Sequence, residues 1–306
     1  MKRRERVFYI AFQEGDGLND SGTWLPRQWR MFSETVALVK AGGYVINGRE
    51  VRLPDPAEMM RGAVLYTDPG EVAVPELPQP TEVDVVDGDS LLTGKRLLDE
   101  GYRPAVLGFA NRQVPGWGVE GPGNTQEQSI FRRTDLFMSL YQFYPAGEYY
   151  GIPQRPEQYP LDRNTGGVYS PDVTVFRGNK DDEYALLDHP FRLAVISVPA
   201  LAYPKLKNPD RVSDSLVPPI LRKIRTIFRI GLKHGHDALV LGAWGCGDLC
   251  SPPGHIALLF RQVMEEPEFR NRYRKIIFAI LDQSRDFKSW LHGNYMSFRE
   301  VFPRKS

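Results

Sequence analysis

Cysteine is nearly absent from this sequence, since Cys246 and Cys250 are the only two among 306 residues. Two thiols four positions apart exclude a framework of disulfide bonds. An excess of charge is also absent, because 39 lysines and arginines face 38 aspartates and glutamates. The net charge of +1 provides no overall field that attracts nucleic acid or an acidic membrane. We therefore expect no constitutive nucleic-acid partner and no membrane partner.

Long apolar runs are missing as well. No segment approaches the roughly 18 consecutive apolar residues that a membrane-spanning helix requires. Residues 2–4 are basic like the start of a secretion signal, but the apolar run that follows spans only residues 7–12. Hydrophobic residues still make up 42% of the chain, which is enough for a full core at this length. These features predict a soluble, cytoplasmic globular protein.

Standard metal-binding patterns are also lacking. Zinc sites usually carry two C-x2-C pairs, or C-x2-C with H-x3-H, whereas Cys246 and Cys250 are spaced as C-x3-C. His234, His236 and His255 complete neither pattern. We expect neither a metal nor another cofactor. Cys246 is interpreted as a buried, unreactive thiol rather than as a nucleophile paired with His255.

Predicted strands and helices alternate along most of the chain. Helical spacing and capping residues predict helices over residues 29–40, 89–100, 126–141, 221–233 and 254–265. Apolar or β-branched runs predict strands over residues 63–66, 83–86, 106–110, 173–176, 193–198, 238–241 and 276–281. Proline-rich connections are expected over residues 69–80 and 145–171. This alternation is typical of an α/β protein with a mixed or parallel sheet covered on both faces.

Two glycine-rich segments each follow a predicted strand. The first glycine loop (residues 108–128) reads Gly-Phe-Ala-Asn-Arg-Gln-Val-Pro-Gly-Trp-Gly-Val-Glu-Gly-Pro-Gly-Asn-Thr-Gln-Glu-Gln, and the second (residues 241–247) reads Leu-Gly-Ala-Trp-Gly-Cys-Gly. Glycine lets backbone N–H groups approach an anion, and a helix N-terminus adds a favourable dipole. Neither loop has the spacing of a P-loop or a dinucleotide fingerprint. Together they predict a clamp around a diphosphate, although each also suits a tight strand-to-helix turn.

The residues of these loops resemble a known family. Phe109-Ala110-Asn111, the Gly116-x-Gly118 element and Gln126-Glu127 resemble the microbial-type poly(ADP-ribose) glycohydrolases, which are macrodomains. Residues 241–247, 170–176 and 35–53 are similar to further elements of that family. The resemblance implies a three-layer, macrodomain-like α/β fold with a mixed, mostly parallel sheet and helices on both faces. It places this domain in residues 61–306, with residues 1–60 as an N-terminal helical extension packed on the core.

The resemblance also implies a site for ADP-ribose. Asn111 would hydrogen-bond the distal ribose, the backbone of both glycine loops would hold the diphosphate, and an aromatic residue within residues 143–159 would stack on the adenine. The implied partner is ADP-ribose, or a protein or nucleic acid modified with it. The substrate-binding candidates are Asn111, Gly116, Trp117, Gly118, Gly121, Gln126, Gly245, Cys246 and Gly247.

The sequence departs from the family pattern at two positions. That pattern has three consecutive glycines and then Gln-Glu-Glu, whose second Glu is catalytic; here Trp117 replaces the middle glycine and Gln128 replaces that Glu. A glutamine amide does not exchange a proton near neutral pH. Thr125 and Gln128 also fit a capping box, which would give Gln128 a structural role. Glu127 is an imperfect replacement, because adjacent helical residues point about 100° apart.

Glu120 is a second candidate for the missing carboxylate. Residues 118–121, Gly-Val-Glu-Gly, resemble the Gly-Val-Asp-Gly stretch of the mono-ADP-ribosylhydrolase macrodomains. There Glu120 would transfer a proton or position a water; otherwise it is a solvated loop residue. The catalytic candidates are thus Glu120, Glu127 and Gln128, and the predicted reaction is hydrolysis of the glycosidic linkage of ADP-ribose on a modified macromolecule. The alternatives are a protein that binds ADP-ribose without cleaving it and a nucleotide-sugar or metabolite-binding protein.

Three large side chains near the first glycine loop have two interpretations each. Trp117 either lines the ligand site or packs on its own scaffold as a turn residue. Arg132 and Arg133 either reach a phosphate or lie on a solvated helix face.

Overall fold

The computed structural model describes residues 27–121, 123–281 and 293–304. Its helices are α1 (Arg27–Ala41), α2 (Ala57–Gly62), α3 (Ser90–Asp99), α4 (Gln126–Arg133), α5 (Leu136–Leu140), α6 (Ala146–Tyr149), α7 (Val217–Lys233), α8 (Pro253–Met264) and α9 (Gly293–Val301). Its strands are β1 (Gly43–Ile46), β2 (Arg49–Arg52), β3 (Val64–Tyr66), β4 (Glu82–Val86), β5 (Pro104–Gly108), β6 (Gly167–Arg177), β7 (Leu186–Ser197), β8 (Leu206–Asn208), β9 (Arg211–Val212), β10 (Ala238–Leu241) and β11 (Lys275–Ala279). Short 3₁₀ helices cover Tyr141–Phe143 and Asp214–Leu216.

A seven-stranded sheet forms the centre, in the order β3-β6-β7-β5-β10-β11-β4. The pairs β3–β6 and β6–β7 are antiparallel, and the four remaining pairs are parallel. Side chains of β5 alternate between two core clusters: Val106 faces one, and Ala105 and Leu107 face the other. Helices α1, α3, α4 and α5 contribute to the first cluster, and α7, α8 and α9 contribute to the second. The predicted mixed, mostly parallel sheet with helices on both faces is confirmed.

The parallel pairing brings the ends of five strands to one edge of the sheet. Register pairs Ala238 of β10 with Pro104 of β5, and Val240 with Val106. Strands β7, β11 and β4 run in the same direction beside them. The first glycine loop leaves β5 and the second leaves β10, so both begin at this edge.

The predicted continuous helix over residues 126–141 is wrong, because the chain breaks after α4. At the break, the Asp135 carboxylate accepts a 2.7 Å hydrogen bond from the Thr174 N–H, and the Asp135 N–H donates to the Thr174 carbonyl at 3.3 Å. Thr134 forms an isolated bridge with Val175. Strand β6 therefore accepts the backbone hydrogen bond that Asp135 would otherwise donate within a continuous helix. The predicted connection over residues 145–171 likewise contains α6 and the first part of β6.

Helix α1 and the β1–β2 hairpin pack against the sheet's first core cluster. Phe32, Tyr44 and Val51 are buried in that cluster. The Thr35 hydroxyl donates to the Arg132 carbonyl at 2.6 Å, which joins α1 to α4. Over the described ranges of the chain, no helix is long and apolar enough to cross a membrane.

Candidate active site

The two glycine loops meet where they leave the sheet. A Cβ atom placed on Gly242 would lie 2.8 Å from Cζ of Phe109, which belongs to the first loop. A Cβ on Gly245, whose φ is +79°, would lie 2.9 Å from Cβ of Ala200, just after β7. Close contact at both positions requires glycine. The second loop is therefore fixed against the segments that follow β5 and β7.

Within the second loop, the large side chains point inward and the backbone stays accessible at Gly247. Trp244 is buried, and its indole N–H donates to the Val198 carbonyl at 2.9 Å. Cys246 is buried too, and burial raises the pKa of its thiol well above the usual range. A thiol that stays protonated is a poor nucleophile. At Gly247, a Cβ atom would have no neighbour within 4 Å.

The first loop presents an indole to solvent. Gly116 and Gly118 have φ values of +66° and +72°, and successive turns join Trp117 N–H to the Val114 carbonyl and Val119 N–H to the Gly116 carbonyl. The Trp117 side chain is 63% exposed, so it does not pack on its own scaffold. A Cβ atom on Gly116 would lie 2.5 Å from the Phe131 ring, which leaves no room for any side chain there.

Gln128 holds the start of α4, and the predicted capping box is confirmed. The Thr125 hydroxyl accepts from the Gln128 N–H at 3.4 Å, and the Gln128 Oε1 accepts from the Thr125 N–H at 2.9 Å. In addition, Gln128 Nε2 donates to the Trp117 carbonyl at 2.7 Å. The side chain thus ties the helix start to the first loop.

Glu127 is buried beside the beginning of the first loop. Its Oε2 accepts a 3.1 Å hydrogen bond from the Asn111 N–H, whereas its Oε1 has no protein partner in the described part of the chain. Burial raises the pKa of Glu127 to about 8, although the N–H groups of Gly116 and Asn111 partly offset the effect. At neutral pH this carboxyl is therefore mostly protonated and can serve as an acid.

Asn111 and Gln126 make very different use of their side-chain amides. The Asn111 Oδ1 accepts from the N–H groups of Gln113 and Val114 at 2.8 and 3.1 Å, which fixes the turn. Gln126 Nε2 donates to the Leu107 carbonyl and the Ser90 hydroxyl, and its Oε1 accepts from the Phe109 N–H. Gln126 therefore joins the end of β5 to the starts of α3 and α4, and protein groups occupy both of its N–H donors.

Glu120 is exposed on the first loop, and a tyrosine holds its carboxylate. The Tyr150 hydroxyl donates to Glu120 Oε1 at 2.9 Å. The Tyr150 ring stacks on the Tyr141 ring, with their centroids 5.2 Å apart. Burial raises the pKa of Tyr141, and the neighbouring acidic groups of Tyr150, Glu120 and Glu127 raise it further. Tyr141 thus lies within electrostatic reach of both glutamates.

The predicted positions of Arg132 and Arg133 are wrong, because both guanidinium groups are buried. Arg132 donates to three carbonyls of the first loop, those of Val119, Gly121 and Gly123. Arg133 makes a two-pronged ion pair with Asp89, with N···O distances of 2.6 and 3.1 Å. Neither side chain is on a solvated face, and protein groups occupy both.

Comparison with known proteins shows which family model and which solved structures this chain is similar to. Residues 33–178 match the family model described as microbial-type PARG, catalytic domain. The crystal structure of poly(ADP-ribose) glycohydrolase (PARG) from Thermomonospora curvata is 26% identical to this chain, with a TM-score of 0.73. The match covers 90% of this chain and 99% of that chain. Just under half of the chain therefore matches the microbial-type PARG catalytic domain.

Structures of PARG with bound molecules are similar to this chain as well. The Thermomonospora curvata enzyme bound to the inhibitor ADP-HPD is 25% identical, with a TM-score of 0.71 and coverage of 90% of this chain and 99% of that chain. PARG from Deinococcus radiodurans in complex with ADP-ribose is 25% identical, with a TM-score of 0.63 and coverage of 83% and 99%. No curated protein matches the chain.

Charged side chains of the described residues also line a cavity away from the glycine loops, where two arginines are paired with carboxylates. A cavity of about 1160 Å³ lies between residues 68–75, α7 and residues 266–272. Its arginines Arg225 and Arg229 each make a two-pronged ion pair, with Glu266 and Glu268 respectively. Across the described residues, no three His, Cys, Asp or Glu side chains are grouped so that they would hold a metal ion.

Proposed function

We propose that this chain hydrolyses a glycosidic bond of ADP-ribose that is attached to a macromolecule. The match of residues 33–178 to the microbial-type PARG catalytic domain supports the reaction, and the similar structures with bound ADP-ribose and ADP-HPD support the ligand. The neighbouring glycine loops at the carboxyl ends of parallel strands support the position of the diphosphate. The carrier of the ADP-ribose is a protein or a nucleic acid.

The buried carboxyl of Glu127 is the observation that carries this proposal. Hydrolysis of a glycosidic bond needs an acid for the leaving oxygen and a carboxylate that assists the attacking water or stabilises the sugar cation. Glu127, with its pKa near 8 and an unpartnered Oε1, suits the acid. Glu120, whose carboxylate accepts from Tyr150, suits the second role. Gln128 remains a structural residue, because its amide caps α4 and bonds the loop.

The ligand-binding residues are assigned in the same proposal. Asn111 contacts the distal ribose through Nδ2, which donates to no protein group in the described ranges. Backbone N–H groups of both loops hold the diphosphate, and Gln126 positions the first loop. The residues assigned to the ligand are Asn111, Gly116, Trp117, Gly118, Gly121, Gly245, Cys246 and Gly247.

The remaining parts of the proposal concern the chain as a whole. Residues 61–306 form the macrodomain-like unit, and residues 1–60 are its N-terminal extension. The described part of this extension, residues 27–60, packs on the unit, as the buried Phe32 and Tyr44 suggest, whereas residues 1–26 lie outside the described residues. The protein acts in the cytoplasm, and the carboxyl groups act without a metal or other cofactor.

A second function is favoured by one observation. Gln128 replaces the second Glu of the family pattern, and its amide is held by two protein partners. A chain with no working acid at that position would bind ADP-ribose groups without cleaving them. In this alternative the protein binds the same ligand, ADP-ribose, but does not hydrolyse the glycosidic bond.

Two measurements separate these functions. Calorimetry with ADP-ribose tests the site, and release of labelled ADP-ribose from modified protein, modified DNA and poly(ADP-ribose) tests the reaction. We expect binding and release by the wild type, and a loss of release of at least tenfold in Glu127→Gln and Glu120→Gln. Glu265→Gln, on the exposed end of α8, is the matched control and should behave as the wild type. Binding without release by the wild type would establish the binding protein, and absence of binding would reject both functions.

A further inference from the structure

We propose that Arg132 and Tyr150 are positioning residues that together fix Glu120 in the site. Arg132 holds the backbone on both sides of Glu120, and Tyr150 holds one oxygen of its carboxylate. The inference rests on the proposed function, since it assumes that Glu120 takes part in the reaction.

The Arg132 guanidinium is fully buried beneath the first glycine loop. Its Nη2 donates to the carbonyls of Val119 and Gly121 at 2.8 and 3.1 Å, and its Nη1 donates to that of Gly123 at 2.8 Å. Val119 and Gly121 are the two neighbours of Glu120. A planar guanidinium presents its donors in a fixed geometry, so one rigid group sets the path of the backbone at residue 120.

The charge of Arg132 makes this arrangement costly for the fold. No carboxylate in the described part of the chain forms an ion pair with it, and burial lowers the pKa of the guanidinium. A buried cation without a counterion is expensive unless polar groups replace its hydration. Here the carbonyls of the first glycine loop replace the hydration of the guanidinium. A change in the loop conformation would break these hydrogen bonds. The buried charge and the loop conformation are therefore coupled.

Tyr150 restrains the other end of the Glu120 side chain. Its hydroxyl donates to Oε1 at 2.9 Å, which leaves Oε2 without a protein donor in the described ranges. The Tyr150 ring is held on several sides: its centroid lies 5.2 Å from that of Tyr141, 6.1 Å from that of Phe32 and 6.2 Å from that of Phe137. A hydroxyl on a fixed ring orients the carboxylate and leaves one oxygen directed to a ligand or water.

The consequence for the reaction is geometric. A catalytic group displaced by about 1 Å loses on the order of 100-fold in rate, even when the ligand still binds. A carboxylate on an exposed loop is free to move unless both its backbone and its oxygens are held. Arg132 and Tyr150 supply these two restraints from different elements, α4 and the end of α6.

The test is steady-state release of ADP-ribose by Arg132→Lys and Tyr150→Phe. Lysine keeps the positive charge but lacks the planar guanidinium with its several N–H donors. Phenylalanine keeps the ring but lacks the hydroxyl that donates to Glu120. We expect kcat to fall by roughly 10- to 100-fold in each, with KM and the calorimetric Kd for ADP-ribose within about twofold of wild type. Tyr203→Phe is the control, because Tyr203 lies outside residues 143–159, is 72% exposed and makes no hydrogen bond to Glu120.

Each substitution is then combined with Glu120→Gln. If Arg132 and Tyr150 act through Glu120, the double variants lose no more kcat than Glu120→Gln alone. A purely structural role predicts a further loss, and that result overturns the inference, as does an unchanged kcat in Tyr150→Phe. If Arg132→Lys fails to fold, the Tyr150→Phe series decides. If the wild type releases no ADP-ribose, the proposed reaction itself is overturned. If the wild type releases ADP-ribose but the variants do not behave as expected, only the roles of Arg132 and Tyr150 are overturned.

Discussion

The ring of Phe109 lies directly against Gly242, and this contact joins the segment after β5 to the segment after β10. A Cβ atom on Gly242 would lie 2.8 Å from the Phe109 Cζ and 3.0 Å from the carbonyl oxygen of Ala279. The carbonyl belongs to the end of β11 and has little freedom to move. The absence of a side chain at residue 242 therefore sets the separation of the two glycine loops.

Gly242→Ala tests this contact. The added methyl group forces Phe109 or the second loop outward, so we expect a loss of about 1–3 kcal/mol in the free energy of unfolding. ADP-ribose affinity should fall as well, because the loops separate. Denaturant unfolding and calorimetry measure the two effects. In the control, Gly254→Ala, a Cβ would meet no atom within 4 Å, and stability should stay equal or rise. Equal stability of Gly242→Ala and wild type would contradict the prediction.

Glu127 should give the reaction a basic pH limit. Its pKa is raised to about 8, so the neutral acid is present below that pH and is lost above it. We expect kcat for release to fall above pH 8, approaching tenfold per pH unit. In Glu127→Gln the residual rate should be low and should lack this limit. The profile is measured from pH 6 to 10, with unfolding followed at each pH. The same basic limit in Glu127→Gln would assign it to another group.

Gln128→Glu should destabilise the first loop in a pH-dependent way. Gln128 Nε2 donates to the Trp117 carbonyl at 2.7 Å, and an ionised carboxylate would place an oxygen against that carbonyl. We expect a loss of about 1–3 kcal/mol at pH 7.5. The loss should shrink near pH 5, where a protonated carboxyl donates again. Thermal unfolding of the variant and wild type at both pH values measures the difference. Gln113→Glu, exposed on the same loop, should show no such dependence.

Asp135 should lower the stability of the wild type as pH rises. Burial raises its pKa to about 7 from an ordinary value near 4, so the folded state binds a proton that the unfolded chain has already released. Stability from this group is present below pH 4 and is lost as pH rises through 7. Asp135→Asn does not titrate, so its stability relative to wild type should increase by up to about 4 kcal/mol between pH 4 and 8.

Thermal unfolding across that pH range measures the Asp135 effect. Asp99→Asn is the control, because the Asp99 carboxylate pairs with Lys95 on an exposed helix face. Exposed pairs of this kind contribute only about 0–1 kcal/mol, so the control should show little pH dependence. A constant difference between Asp135→Asn and wild type would contradict the prediction.

Local sequence signals predict most of the central sheet and its helices. The Asp89 cap, for example, accepts from the N–H groups of Leu91 and Leu92 as expected for the start of α3. Such signals act over a few residues, so they do not depend on the rest of the fold. The break after α4 depends instead on Thr174, about 40 positions away, which bonds Asp135. No periodicity within residues 126–141 reveals that competition.

The candidate site likewise contains some residues whose roles the sequence predicts and others whose roles it does not. The glycine loops, Asn111 and the capping residue Gln128 are recognisable because their roles follow from local geometry. Arg132 is not recognisable, since two consecutive arginines on a helix usually indicate a solvated face, and its partners are loop carbonyls rather than side chains. Tyr150 is also missed, because aromatic residues of its segment suggest stacking on adenine rather than a bond to Glu120. These pairings arise only when the chain is folded.

The strand order has a consequence for any attempt to shorten this protein. Strand β5 lies between β7 and β10, and both neighbours come after residue 178, where the match to the PARG family model ends. A fragment limited to residues 33–178 would leave both edges of a wholly apolar strand unpaired and would lack the second glycine loop. Unpaired apolar strand edges promote association between chains. Such a fragment should aggregate on expression, so the matched region alone is not a minimal catalytic unit.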